Sequence, residues 1–219
     1  MQHITQTIKE AEQWLAQPLL KDLEKSLTFA NSLVQSLQEI SKERKDLNPQ
    51  IGPLLGKIKS LQKKLNSMQW LDWLAIRNGW LSIGHRPGKK LVEDLKLQNT
   101  SHILTLLAET EGALEVKKFA KQHKIHWLWF PMPSAEPLAG ERKQELFALF
   151  ADIEKILVQS GKLYIHCSAG IHRTGMISYA FLRFLDFSKE KALSKLQQLR
   201  LETATNVGKH RVDWGDSLF

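Results

Sequence analysis

The stretch "HCSAGIHRTG", His166 to Gly175, holds the only cysteine of the 219-residue chain. Its flanks decide how it folds. Before it, "GKLYI" (Gly161–Ile165) is a short apolar run after a glycine, the pattern of a buried strand. After it, Ile177, Ala180, Phe181, Phe184 and Leu185 recur at helical spacing between Thr174 and Leu185. The ten residues therefore read as a strand-to-helix loop. Gly170 and Gly175 permit a tight turn, so the loop's backbone N–H groups converge at a helix N-terminus, a seat for an anion.

The side chains suit the same anion. The field that attracts a phosphate also favours a thiolate, so Cys167 is expected to have a depressed pKa and to act as a nucleophile. Arg173 supplies a planar, permanently charged fork that grips two phosphate oxygens at once, which a lysine does not. The backbone of Ser168, Ala169, Gly170, Ile171 and His172 completes the phosphate seat. The Thr174 hydroxyl is placed to donate to the sulfur and improve it as a leaving group.

In these residues the sequence resembles the cysteine-dependent protein phosphatases, whose signature is His-Cys, five residues, Arg, then Ser or Thr. It stands complete as His166, Cys167, "SAGIH", Arg173 and Thr174, with Gly170 and Gly175 in the usual glycine places. A sulfurtransferase loop is the nearest mimic, with a shorter Cys-to-Arg interval and no Thr-Gly after the arginine. The resemblance implies phosphomonoester hydrolysis through a phosphocysteine, most directly on phosphotyrosine or as a dual-specificity enzyme, with no metal or other cofactor. From Trp80 onward it also implies the compact dual-specificity phosphatase fold.

One part of the pattern is missing. The family protonates the leaving group with an Asp on the loop after the third strand, and here that loop, "FPMPSAEPLAGE" (Phe130–Glu141), has none. Glu136 is the candidate acid, because Ser134 fits the register but is a poor proton donor. His210, Asp213 and Asp216 in the C-terminal "VGKHRVDWGDSLF", and His85 and Arg86 in "IGHRPGKK", are candidates from outside the loop, and Asn206 could orient a water. Inositide-specific relatives tend to carry lysines within the phosphate loop, where this chain offers only His172. Two alternatives stay open: a phosphate-binding module with weak turnover, and an RNA or nucleotide phosphatase.

The whole chain sets bounds. With 42% hydrophobic residues it can fill a core, and one cysteine excludes an intramolecular disulfide and suits a reducing compartment. The N-terminal "MQHITQTIKEAEQWL" has acidic residues and no continuous apolar stretch, so neither a signal peptide nor a membrane span is expected and the protein reads as cytoplasmic. A net charge of +8 favours phosphorylated or other polyanionic partners, RNA among them.

Residues 1–68 differ from 69–219. Ile4, Ile8, Ala11 and Leu15 lie at helical spacing until Pro18 interrupts. Leu20, Leu23, Leu27, Ala30, Val34 and Leu37 then form an apolar seam, "NPQIGP" (Asn48–Pro53) breaks it, and Leu54, Ile58, Leu61, Leu65 and Met68 resume it. This predicts a helical hairpin extension at 1–68 that packs on the catalytic domain, forms a homodimer or presents substrate. In 69–219, "GWLSIG", "HILTLLAE", "IHWLWF" and "KLYIH" read as buried strands separated by helical stretches. The alternation predicts an α/β domain with a central, largely parallel sheet flanked by helices.

Overall fold

The computed structural model describes residues 2–18 and 23–219 and divides into two compact units, Met1–Gln69 and Trp70–Phe219. The first holds α1 (Gln2–Ala16), α2 (Leu23–Glu43) and α3 (Asn48–Asn66). Helices α2 and α3 run antiparallel, cross-linked near their ends by Ser41 Oγ donating to Asn48 Oδ1 and, further along, by Gln62 Nε2 donating to Asn31 Oδ1. The break between them falls earlier than "NPQIGP", at the 3-10 turn Lys45–Leu47. Pro49 occupies the first turn of α3, where an N–H would lack an acceptor anyway, and Pro53 forgoes only one bond. Burial of Ile51, Leu54, Ile58 and Leu65 on the same helix offsets that loss.

The buried face of α2 is turned by one residue from the expected seam. Ser26, Ala30, Leu33, Leu37 and Ile40 are buried, while Leu23, Leu27 and Val34 are only half-buried and Leu20 lies outside the described residues. Trp14 explains the shift, since its indole N–H donates to Ser26 Oγ and draws that serine inward.

The second unit is a five-stranded sheet with helices on both faces. Its strands are β1 (Leu74–Ile76), β2 (Gly79–Gly84), β3 (His102–Thr105), β4 (His126–Trp129) and β5 (Lys162–His166), in the order β1-β2-β5-β3-β4. All neighbours pair in parallel except β1, which folds back on β2 as an antiparallel edge. Strand alternation sends Leu163, Ile165, Leu81, Ile83 and Leu104 to one face, against α6 (Lys143–Val158), α7 (His172–Phe184) and α8 (Lys189–Leu199). Tyr164 and Ile103 point the other way, against α4 (Lys89–Leu97) and α5 (Ala113–Gln122). Two short helices, α9 (Leu201–Asn206) and α10 (Lys209–Asp216), close the chain.

This order puts β5 between β2 and β3, where the connections diverge to opposite sides. In open parallel sheets the crevice beyond the carboxyl ends of strands at such a switch point is where ligands bind. The loop after β5 begins with Cys167.

Phe150 is fully buried in the larger core, its ring 5.6 Å from that of Phe181 and 5.5 Å from that of Phe184. Phe150→Ala leaves a cavity beneath α7, and the expected loss is about 3–5 kcal/mol, measured as a lower denaturant midpoint for the unit.

Candidate active site

The loop between β5 and α7 is held from outside by its carbonyl groups. Ser168 O accepts from Arg86 N–H, Gly170 O from Thr203 Oγ1, and Ile171 O from Gly175 N–H. The N–H groups of Ser168, Ala169, Gly170 and Ile171, by contrast, donate to no acceptor among the described residues. Such a turn needs Gly170 in the left-handed region, at φ +74°, and a Cβ there would stand 2.2 Å from the carbonyl carbon of Gly84. The result is a short arc of unpaired donors over the start of α7, suited to the oxygens of a tetrahedral anion.

Cys167 lies at the base of the arc, 4% exposed. Thr174, in the first turn of α7, is fully buried and its hydroxyl has no hydrogen-bond partner, so its proton is available to a group arriving in the loop. Ser168, Ala169 and His172 are exposed along the rim and Ile171 is half-buried.

The geometry of Arg173 is fixed by a residue that carries no motif of its own. Glu111, on the 3-10 turn Glu109–Glu111 after β3, takes Arg173 Nη1 on Oε2 at 2.6 Å and Nη2 on Oε1 at 2.7 Å. Nη1 also donates to Met132 O at 2.8 Å. A guanidinium has five N–H bonds, and these contacts occupy three of them. The two left over, on Nε and Nη2, share one edge of the plane, the edge that meets two phosphate oxygens side by side. Hydrogen bonding to Glu111 is the main reason that Arg173 is held above its ordinary pKa, and Cys167 acts in the same direction. The Arg173 hydrogen bond likewise holds the Glu111 carboxyl below its ordinary value.

The loop after β4 is gripped on its main chain. Arg142 Nη1 donates to Pro131 O, Arg173 to Met132 O and Arg211 Nε to Ala135 O. Glu136 sits on this loop with its carboxylate 3.6 Å from Arg211 Nη2 and 68% exposed, and its N–H donates to Ser134 Oγ. The other carboxylates considered are engaged elsewhere. Asp213 pairs with Lys209, and Asp216 accepts from Tyr179 Oη and pairs with Arg183 and Lys189. Tyr179 and Arg183 lie about 10–16 Å along α7 from its start, at 1.5 Å per residue, so Asp216 braces the far end of that helix. Arg86 is committed to Glu111 O and Glu115, His85 and His210 are exposed, and Asn206 donates to Glu202 O.

Behind the cysteine, the hydrogen bonds assign a proton. Trp127 Nε1 can only donate, and it does so to Thr105 Oγ1 at 2.8 Å. Cys167 O, 3.1 Å from His166 Nδ1, can only accept, so the ring proton sits on Nδ1 and Nε2 accepts from the Thr105 hydroxyl, 2.9 Å away. The imidazole is neutral and fully buried, and burial pulls its pKa from the ordinary 6.5 down to about 4. The sign follows directly. The unfolded chain takes up a proton on His166 as pH drops below 6.5 and the folded one resists until about 4, so stability is lost across that window. Between pH 7 and 4.5 the protein is expected to lose about 2 kcal/mol more than a His166→Asn variant, compared by urea unfolding at the two pH values.

Residues 93–195, which include the whole loop, match the model of the tyrosine phosphatase family. No curated protein matches the chain. Among solved structures, kinase associated phosphatase with a serine in place of its catalytic cysteine is similar at a TM-score of 0.59 and 17% identity, over 69% of this chain and 96% of that one. Tk-PTP in its active form is similar at 0.56 and 16%, over 68% and 97%. PTPMT1 is similar at 0.51 and 18%, over 67% and 95%. The unit Trp70–Phe219 thus has the fold of these phosphatases and, inside the segment that matches the tyrosine phosphatase family, an intact His-Cys-x5-Arg-Thr-Gly loop.

Proposed function

We propose that the unit Trp70–Phe219 hydrolyses phosphomonoesters through a covalent phosphocysteine on Cys167, with phosphotyrosine as the substrate that fits best. The observation that carries this reading is the free Nε/Nη2 edge of Arg173, prepared by Glu111 beside an arc of unpaired N–H groups. Both are donors set in place before the anion arrives, so little reorganisation is needed as charge builds in the transition state.

In the first step the Cys167 sulfur attacks phosphorus in line with the ester oxygen. The S–P bond forms as the P–O bond breaks, and the departing oxygen takes a proton. Glu136 is the donor in this reading, being the one carboxyl group in "PMPSAEP" (Pro131–Pro137). It serves by turning from Arg211 toward the leaving group. In the second step water attacks phosphorus, Glu136 takes the water's proton, and the S–P bond breaks with Thr174 donating to the sulfur. A phenoxide leaves with the least help from an acid, which is why an aryl ester suits a site whose donor is held on an exposed rim. Substrate is a phosphorylated protein or another phosphomonoester.

The pairing of Glu136 with Arg211 favours a second reading, a phosphate-binding module that turns over slowly. Kinetics separate the two. Cys167→Ser is expected to reduce hydrolysis of an aryl phosphate to background while oxyanion affinity survives, and Arg173→Lys to lower kcat/KM about 10²–10³-fold because the fork is lost. Glu136→Gln is expected to slow an alkyl phosphate about 10²–10⁴-fold and an aryl phosphate far less. Phosphate binding without turnover in the unmodified protein selects the binding module instead.

A further inference from the structure

Two residues of the C-terminal helices reach the phosphate loop from behind. Arg200 stands at the junction of α8 and α9, in extended backbone that turns its side chain toward the loop. Its Nη1 donates to Ala169 O at 2.9 Å and to Gly170 O at 3.0 Å, and its Nη2 pairs with Glu202. Thr203, fully buried on the first turn of α9, donates its hydroxyl to the same Gly170 O at 2.6 Å. Other carbonyl groups of the turn, those of Ser168 and Ile171, are met by backbone N–H groups.

A peptide group is a rigid plane with its oxygen and its N–H at opposite ends. The carbonyl of Ala169 belongs to the plane that carries Gly170 N–H, and the carbonyl of Gly170 to the plane that carries Ile171 N–H. Both N–H groups are among those without a protein acceptor. Holding the oxygen therefore aims the N–H. A cationic donor on the oxygen also draws electrons away from the N–H and strengthens it toward an anion, as hydrogen bonds in a chain polarise one another.

We propose, resting on the phosphatase reading above, that Arg200 and Thr203 are positioning residues that orient and polarise the Gly170 and Ile171 N–H groups for the phosphoryl oxygens. Neither side chain needs to touch substrate. Their effect grows with the charge on the oxygens, so it is felt in oxyanion binding and in kcat together. A role confined to joining α8 and α9 predicts a change in stability alone.

The test uses the full chain. Affinity for tungstate is measured in a Cys167→Ser background, and kcat and KM for an aryl phosphate are measured with Cys167 present. Thr203→Val keeps the shape and removes the hydroxyl, and is expected to weaken tungstate about fivefold, with a fall in kcat of similar size. Thr203→Ser restores both to within about twofold of the parent. Arg200→Met is expected to weaken tungstate about 10- to 100-fold, as for a lost charged hydrogen bond, and Arg200→Lys less. If Arg200→Met does not fold, the Thr203 pair decides. Parent-like tungstate affinity and kcat in Thr203→Val overturn the proposal while the phosphatase reading stands. A parent that neither binds tungstate nor turns over substrate overturns both.

Discussion

The ion pair of Glu111 with Arg173 joins two parts of the sheet that the chain visits far apart, the turn after β3 and the first turn of α7. An arginine side chain left to itself samples many rotamers, and a single charge contact would leave it free to swivel. The paired contacts at 2.6 and 2.7 Å define its plane instead. The third contact, to Met132 O, fixes which edge remains open. The open edge of Arg173 is thus set by a carboxylate on a distant turn.

The rest of the site is arranged around that plane by hydrogen bonds to the main chain. Carbonyl groups of the phosphate loop are engaged on its outer side, which leaves its N–H groups as donors, and the His166 ring proton faces the Cys167 carbonyl. Helix α7 adds its N-terminal field to this set. Packing keeps α7 in place, because Gly175 brings Val207 and Thr203 so close that a Cβ there would lie 2.7 Å from a Val207 methyl. The second unit's apolar core and its polar loop are therefore two sides of one helix.

Much of this was legible in the sequence where the chemistry is local. Ten adjacent residues carry the loop, and strands β2 to β5 stand out as short apolar runs between helical stretches, although β4 is a half-exposed edge strand and not the buried one that "IHWLWF" suggests. Features that depend on distant partners were not. Glu109, Glu111 and Glu115 look alike in "ETEGALE", and only the 3-10 turn after β3 singles out Glu111. Arg200 and Thr203 lie in a polar stretch that carries no motif. Strand β1 is three residues long and is defined by its pairing with β2, too short for a periodic signal. In the N-terminal unit the helical period was plain, but its phase was not, since a buried serine that satisfies Trp14 breaks the apolar pattern.

The grip on the loop after β4 has a consequence for how such a site tolerates change. Arg142, Arg173 and Arg211 hold the carbonyl groups of Pro131, Met132 and Ala135, atoms that every amino acid possesses. Side chains along that loop can be exchanged without disturbing the plane of Arg173. The set of anion-facing donors and the side chains of this loop are in this way separable traits, the first encoded in main-chain geometry and Glu111. A lineage built on this scaffold can exchange the side chains that the loop displays while the geometry of the anion seat is inherited intact.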